Sequence, residues 1–180
     1  MGLRSAVGQV LLNGVDLSTL SVRDRRDAGL AYIPEDRYAQ ALLLDMPLWE
    51  NRILGHQGHA SASRYGFLTP RAARTDTQQI IDDLHIAAPG PDTPAVALSG
   101  GNQQKVSVGK WLAANTSILI IDEPTVGVDV RTKAAFHDLI TELADRGLTI
   151  VLISSDLPEM VSLADRILVL RAYGIVAELE

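Results

Sequence analysis

Two largely apolar runs, ILII at 118–121 and LTIVLI at 148–153, constrain the fold of this chain more than any other feature. Neither alternates apolar with polar residues, so both suit strands buried on two faces, as in a parallel sheet. Between them, Phe136, Leu139, Ile140 and Leu143 recur at the i, i+3, i+4, i+7 spacing of one helix face, and Gly147 supplies the stop. A third run, Ile167–Leu170, follows a short helix started by Ser155 or Asp156, with Pro158 in its first turn. This strand–helix–strand–helix–strand order predicts an α/β fold with a parallel sheet covered on both faces.

The rest of the chain is less regular. Residues 8–18 read as two short strands around Asn13-Gly14, and Leu30–Ile33 as a strand stopped by Pro34. Residues 38–97 differ in texture and read as a mainly helical insertion. They hold a helical patch near Leu48–Leu54, a Gly/Ser/His-rich loop at 55–66, a polar helix over 70–86 and a Pro/Gly-rich joint at 88–95. A helix over 101–114 then carries Val108, Trp111 and Leu112 on one face. The 180 residues amount to about one domain, and no apolar run approaches the ~20 residues of a membrane-spanning helix. There is no cysteine, which excludes disulfides and thiolate metal sites, and a formal charge of −6 argues against a broad nucleic-acid-binding face.

Two segments carry the chemistry. The run at 118–121 ends abruptly in Asp122-Glu123-Pro124, and in an open parallel sheet the ligand crevice lies at the carboxyl ends of the strands. Asp122 is placed to hold Mg²⁺, directly or through water, and Glu123 to orient or polarise an attacking water in phosphoryl transfer. The bland alternative is a strand that exits into an acidic loop. Ser99-Gly100-Gly101 opens a helix, where backbone N–H groups and the dipole favour an anion and glycine permits close approach. Nowhere in the chain is there a Gly-x-x-x-x-Gly-Lys-Ser/Thr phosphate cradle.

Taken in order, LSGGNQQ, IIDEP, GVD and LISSD resemble the signature loop, Walker B strand, D-loop and switch strand of ABC transporter ATP-binding subunits. AYIPEDR, LSGGNQQKV and ISSDLPE are similar to the carbohydrate-importer branch (ribose, galactose and related sugars), in particular its second, C-terminal nucleotide-binding domain. MPLWENRILGHQ at 46–57 also resembles the nucleoside importers, the alternative substrate class. The resemblance implies a P-loop NTPase-like core with a small antiparallel β portion and a helical subdomain. Residues 1–37 would be a partial β subdomain with the Q-loop region, 38–97 the helical subdomain, and 98–180 the signature helix with the remaining core. It further implies that Ser99, Gly100, Gly101 and Gln103 meet an ATP held mainly by an opposing domain. Asp122 would be the Mg²⁺-binding Walker B aspartate, Glu123 the catalytic glutamate, and Asp129 the D-loop aspartate at the domain interface.

Three departures from the family pattern bear on activity. Glu35 stands at the Q-loop position, where a glutamine helps bind Mg²⁺, and Ser155 at the switch position, where a histidine contacts the γ-phosphate. The third is the missing Walker A loop, together with the first core strand and an ATP-stacking aromatic. The expectation is a fragment that begins after that loop, binds ATP poorly alone and hydrolyses almost none. By the same resemblance its partners are a second nucleotide-binding domain, transmembrane permease subunits reached through 38–95 and the Glu35 loop, and indirectly a periplasmic solute-binding protein. Its place would be cytoplasmic, peripheral on the inner face of the membrane. A reading of another class is a non-catalytic, truncated interaction module. Chromosome-maintenance ATPases that share the signature insert long coiled coils, and no sustained heptads occur here.

Other residues carry weaker signals. His56 and His59 form an H-x-x-H pair without an obvious third ligand. His85 and His137 are expected at helix surfaces or boundaries, Trp49 and Trp111 in apolar faces (with the surface facing the membrane subunits as the alternative for Trp49), and Arg23, Arg25 and Arg26 on a solvated face.

Overall fold

Asn13-Gly14 builds the first turn. Strands β1 (Leu11–Leu12) and β2 (Val15–Asp16) pair antiparallel around it, and both turn residues have positive φ, the two-residue geometry that Asn-Gly favours. The structure is a computed structural model that describes residues 8–35, 41–55, 63–64, 67–112 and 116–180; His56 and His59 lie outside them. Helix α1 (Val22–Asp27) is capped by the Ser21 hydroxyl, which accepts from the Asp24 N–H. Arg23 is exposed as expected, but Arg25 and Arg26 are half-buried, and Arg25 donates to the Ser18 carbonyl at 3.0 Å.

The central sheet has three strands, β3 (Leu30–Ile33), β6 (Ile118–Asp122) and β7 (Thr149–Ile153), side by side in that order and all parallel. Ile33 pairs with Ile121, and Ile121 with Leu152. Only one face of the sheet is fully covered. Ala31, Ile33, Leu119 and Ile121 are buried, whereas Tyr32, Ile118 and Ile120 are half-buried and Val151 and Ile153 on the outer strand are exposed. The expectation of burial on both faces is therefore corrected: burial follows the period-2 alternation of the strand even where the sequence is uniformly apolar. The sheet expectation changes for the third run as well. β8 (Ile167–Arg171) leaves the parallel sheet and pairs antiparallel with β9 (Gly174–Leu179) across Ala172-Tyr173, both at positive φ.

Helices α4 (Gly100–Leu112) and α5 (Val130–Asp145) join the covered face through Val106, Val108, Phe136, Leu139, Ile140 and Leu143. The same core continues into the insertion. Leu48 of α2 (Leu48–Ile53) and Ile81 of α3 (Pro70–Asp83) belong to it, as does Leu84. Trp111 packs against this core, while Trp49 packs on a small cluster of Ile53 and Ala73, with the Arg74 guanidinium 4.7 Å from its ring centre. Between α2 and α3 a small hairpin pairs β4 (Ser63–Arg64) with β5 (Phe67–Leu68).

One buried amide organises the entry to α2. Asn51 has no exposed surface; its Oδ1 accepts from the Leu43 N–H at 2.7 Å, and its Nδ2 donates to the carbonyls of Leu43, Met46 and Pro47 at 2.9, 3.2 and 3.3 Å. The Pro/Gly-rich joint lies against the same loop, with the N–H groups of Ala95 and Val96 on the Met46 and Leu44 carbonyls. The joint is thus a packed strap across the start of α2.

Candidate functional site

The parallel register brings three loops to one edge of the sheet. Pro34 and Glu35 leave β3, Glu123 and Pro124 leave β6, and Ser154 and Ser155 leave β7, all at the carboxyl ends. Asp122 sits opposite Ile153, and its Oδ2 accepts from the Tyr32 hydroxyl at 2.9 Å. Burial raises the Tyr32 pKa, and the hydrogen bond to Asp122 and the charges of Asp122 and Glu35 push it the same way. Glu123 adopts φ +43°, and its N–H donates to the Ile153 carbonyl at 2.8 Å. A left-handed glutamate costs roughly 1–2 kcal/mol, and such strain concentrates at functional positions. Glu35 and Ser155 are exposed. Asp122, Glu123, Glu35 and Ser155 therefore share one end of the sheet.

The signature segment lies at the start of α4. Ser99 is exposed, its hydroxyl accepts from Asn102 Nδ2 at 2.9 Å, and its carbonyl accepts the Gln103 N–H. A Cβ on Gly101 would stand 3.0 Å from Thr132 Cγ2, so glycine is what lets α4 and α5 approach here. A groove of about 360 Å³ opens between these two helix starts, lined by Ser99, Gly101, Lys105, Arg131 and Thr132 among others. Asp129 caps α5: its Oδ1 accepts from the N–H groups of Arg131 and Thr132, both at 3.0 Å, and Thr132 Oγ1 donates to Oδ2 at 2.7 Å. These bonds, the Thr132 hydroxyl first, hold its pKa below the ordinary 3.8. Gln103 differs from the expectation of a ligand contact. It is buried, and its amide donates to the carbonyls of Ala95 and Leu98, which ties it to the fold. Gln104 Nε2 donates to the Pro124 carbonyl and so links α4 to the loop carrying Glu123.

Glu159, on α6 (Leu157–Leu163), is a residue the sequence reading did not single out. Its side chain is fully buried and accepts from Ser154 Oγ at 2.6 Å and from His137 Nε2 at 2.7 Å. His137, expected at a surface or boundary, is half-buried and faces this buried acid. Asp156, one of the two expected starts of α6, is its cap and accepts from the Glu159 N–H at 3.0 Å. That D-x-x-E spacing was the visible signal. Burial pushes the Glu159 carboxyl up, but the bonds from Ser154, His137 and Thr125 and the charge of Lys133 outweigh it, and its pKa lies below the ordinary 4.5. A depressed carboxylate stabilises the fold fully above the unfolded value and loses that effect as pH falls through the folded one. In urea unfolding, the stability advantage of the native chain over Glu159→Gln is therefore expected to be constant from pH 7 to about 5 and to shrink below about 4.5. A gap that widens in acid contradicts the assignment.

As for Mg²⁺, the hard carboxylate oxygens of Asp122 and Glu35 fit a cation that takes one or two protein carboxylates and leaves its remaining positions to water and phosphate. Among the described residues no group of three or more His, Cys, Asp or Glu side chains is arranged to hold a metal, and no helix is long and apolar enough to cross a membrane.

Solved structures share this fold. A nucleotide-free ATP-binding cassette from an ABC transporter superposes with a TM-score of 0.77 at 21% identity, covering 95% of this chain and 68% of that one. A dimeric, post-hydrolysis ATP-binding cassette bound to ADP and Pi gives 0.73 at 20% identity, covering 96% and 73%. The fold is that of an ATP-binding cassette. The sequence profile of the ABC transporter family matches residues 1–126, and the chain belongs to that family. It is 44% identical over 168 residues to the ribose import ATP-binding protein RbsA 1 of Agrobacterium fabrum, covering 93% of this chain and 32% of that protein. It is 42% identical over 173 residues to the ribose import ATP-binding protein RbsA of Geobacillus kaustophilus, covering 96% and 35%. The chain spans about a third of the length of these curated relatives.

Proposed function

We propose that this chain is part of the ATP-binding subunit of a sugar importer, and that its Ser99–Gly101 loop completes an ATP site held by a second nucleotide-binding domain. The observation that carries the reading is the start of α4. An exposed Ser99 and Gly101 line an open groove with Lys105 and Arg131, in a sequence without a Gly-Lys-Ser/Thr cradle. The identity to ribose import proteins supports a sugar, with ribose first.

In this reading Asp122 holds Mg²⁺, with Glu35 beside it, and the metal neutralises phosphate charge when bound. Glu123 orients a water, Ser155 faces the terminal phosphate with a hydroxyl in place of an imidazole, and Asp129 spans the domain interface. Residues 38–95 and the Glu35 loop face the permease subunits, which receive solute from a separate binding protein. That work would place the chain at the cytoplasmic side of the membrane.

The test is a pair of Mg-ATP titrations by calorimetry. The isolated 180-residue chain is expected to give no saturable binding at micromolar ATP. Mixed with its partner domain, Ser99→Glu is expected to weaken ATP-dependent association by about tenfold or more, because a carboxylate at the exposed start of α4 repels the phosphate without touching the α4–α5 contact. Micromolar binding by the isolated chain, or association indifferent to Ser99→Glu, sinks the reading.

A further inference from the structure

The left-handed Glu123 has to be held on both sides, because a strained non-glycine residue persists only where its surroundings fix it. Backbone fixes its first side: the Glu123 N–H donates to the Ile153 carbonyl at 2.8 Å, where the pairing of β6 with β7 ends. That ladder goes no further, since the next residue is Pro124 and has no N–H to give. Beyond it the turn is loosely bonded. The Val126 N–H reaches the Glu123 carbonyl, and the Val128 N–H the Thr125 carbonyl, both only at 3.4 Å. The Pro124 carbonyl is the remaining handle, and it accepts from Nε2 of Gln104. Pro124 and Gln104 are both buried, and among the described residues no backbone bond joins α4 to residues 123–129. Gln104 projects from an anchored helix. Gly101 of α4 lies against Thr132 of α5, Gly109 against Ile80 of α3, and the Gln103 amide holds the Ala95 and Leu98 carbonyls.

We propose that Gln104 is a positioning residue for Glu123: its amide clamps the Pro124 carbonyl and so fixes the left-handed glutamate from the side that no strand ladder reaches. The proposal rests on the nucleotide reading above. An apolar side chain of similar volume would pack in the same place and leave that carbonyl free to swing. Because Gln104 belongs to the helix that opens beside Ser99, the clamp also ties the setting of Glu123 to the helix whose start lines the groove.

Two variants cut the bond in different ways. Gln104→Met fills the volume without a donor, and Gln104→Asn keeps a buried amide that is one methylene too short to reach. In the 180-residue chain, hydrogen exchange at the Glu123 amide is expected to quicken about tenfold in both, while the preceding amides of β6 keep their native rates. Gln103→Met, which removes a buried amide bonded elsewhere, is expected to leave the Glu123 amide as slow as in the native chain. In the assembled transporter, both Gln104 variants are expected to lower kcat for ATP about tenfold, as a sub-ångström misplacement does, with KM little changed. An unchanged Glu123 amide, exchange that quickens evenly along β6, the same quickening in Gln103→Met, an unchanged kcat, or a change confined to KM would each overturn the proposal. If the wild-type assembly hydrolyses no ATP, the function reading fails, and the exchange rates alone decide whether Gln104 holds Glu123.

Discussion

Asn51→Asp is expected to cost about 4 kcal/mol at pH 7 although the two side chains are nearly superposable. The Asn51 Nδ2 donates to three carbonyls, and aspartate would turn a second oxygen toward the same three. The site has no exposure, so the charge cannot be hydrated. Buried carboxyls with such surroundings rise by about 3 pKa units or more, each worth 1.36 kcal/mol. The sign of the pH dependence follows. A carboxyl whose folded pKa is raised costs nothing below its unfolded value, near 4, and progressively more as pH climbs toward the folded one. Against wild type at the same pH, the deficit should shrink to about 1 kcal/mol at pH 4, where the protonated oxygen again donates to the Leu43 carbonyl. With ordinary domains stable by about 5–15 kcal/mol, such a loss removes roughly a quarter or more of the total stability. Asn51→Leu is the control: it strands the Leu43 N–H, costs about 1–3 kcal/mol, and shows no such pH dependence. Urea unfolding at the two pH values separates the cases, and an Asn51→Asp deficit equal at both excludes the buried-amide explanation.

That amide shows where the sequence was readable and where it was not. Elements with a local cause were legible. Asn13-Gly14 names its own turn, Leu30–Ile33 is a short apolar run stopped by Pro34, and the i, i+3, i+4 spacing over α5 forecasts its buried face. The acid pair at the end of β6 was legible for the same reason: apolar residues followed by two carboxylates can only mean a buried strand meeting a wet edge. What could not be read depends on residues far apart in sequence. Nothing local says that β8 will pair with β9 across Ala172-Tyr173 instead of extending the parallel sheet, because an apolar strand suits either neighbour. Nor does an acid in the first turn of α6 announce burial, since such acids are ordinarily solvated and stabilise the helix dipole. Only the fold brings Ser154, Thr125 and His137 around Glu159. Gln103 is the converse case. It follows Gly100 and Gly101 closely in sequence, yet the helix rotates its side chain onto the Ala95 and Leu98 carbonyls.

The ion pair that joins α2 to α3 leads to the second large effect, and here the less buried partner should matter more. Arg52 of α2 is 5% exposed; its Nη1 donates to the Lys110 carbonyl at 3.0 Å, and its Nη2 lies 2.9 Å from Oδ2 of Asp76 on α3, which is 33% exposed. Burial lowers the Arg52 pKa and the Asp76 charge raises it, so the carboxylate is what makes a buried guanidinium tolerable. Removing Asp76 leaves that charge uncompensated; removing Arg52 leaves an acid that can turn to water. Breaking a buried pair from the wrong side costs about 3–5 kcal/mol, and replacing the buried ion with an apolar side chain is often close to neutral. Asp76→Asn is therefore expected to cost about 3 kcal/mol, at the low end because Asp76 reaches solvent. Arg52→Met should cost about 1 kcal/mol, mainly the lost bond to the Lys110 carbonyl. The combined variant should be no less stable than Arg52→Met, recovering about 2 kcal/mol relative to Asp76→Asn alone. Chemical unfolding of the three variants reads the cycle directly. Should Arg52→Met prove the most damaging single change, the guanidinium contributes through its packing and its carbonyl bond, and the carboxylate is incidental.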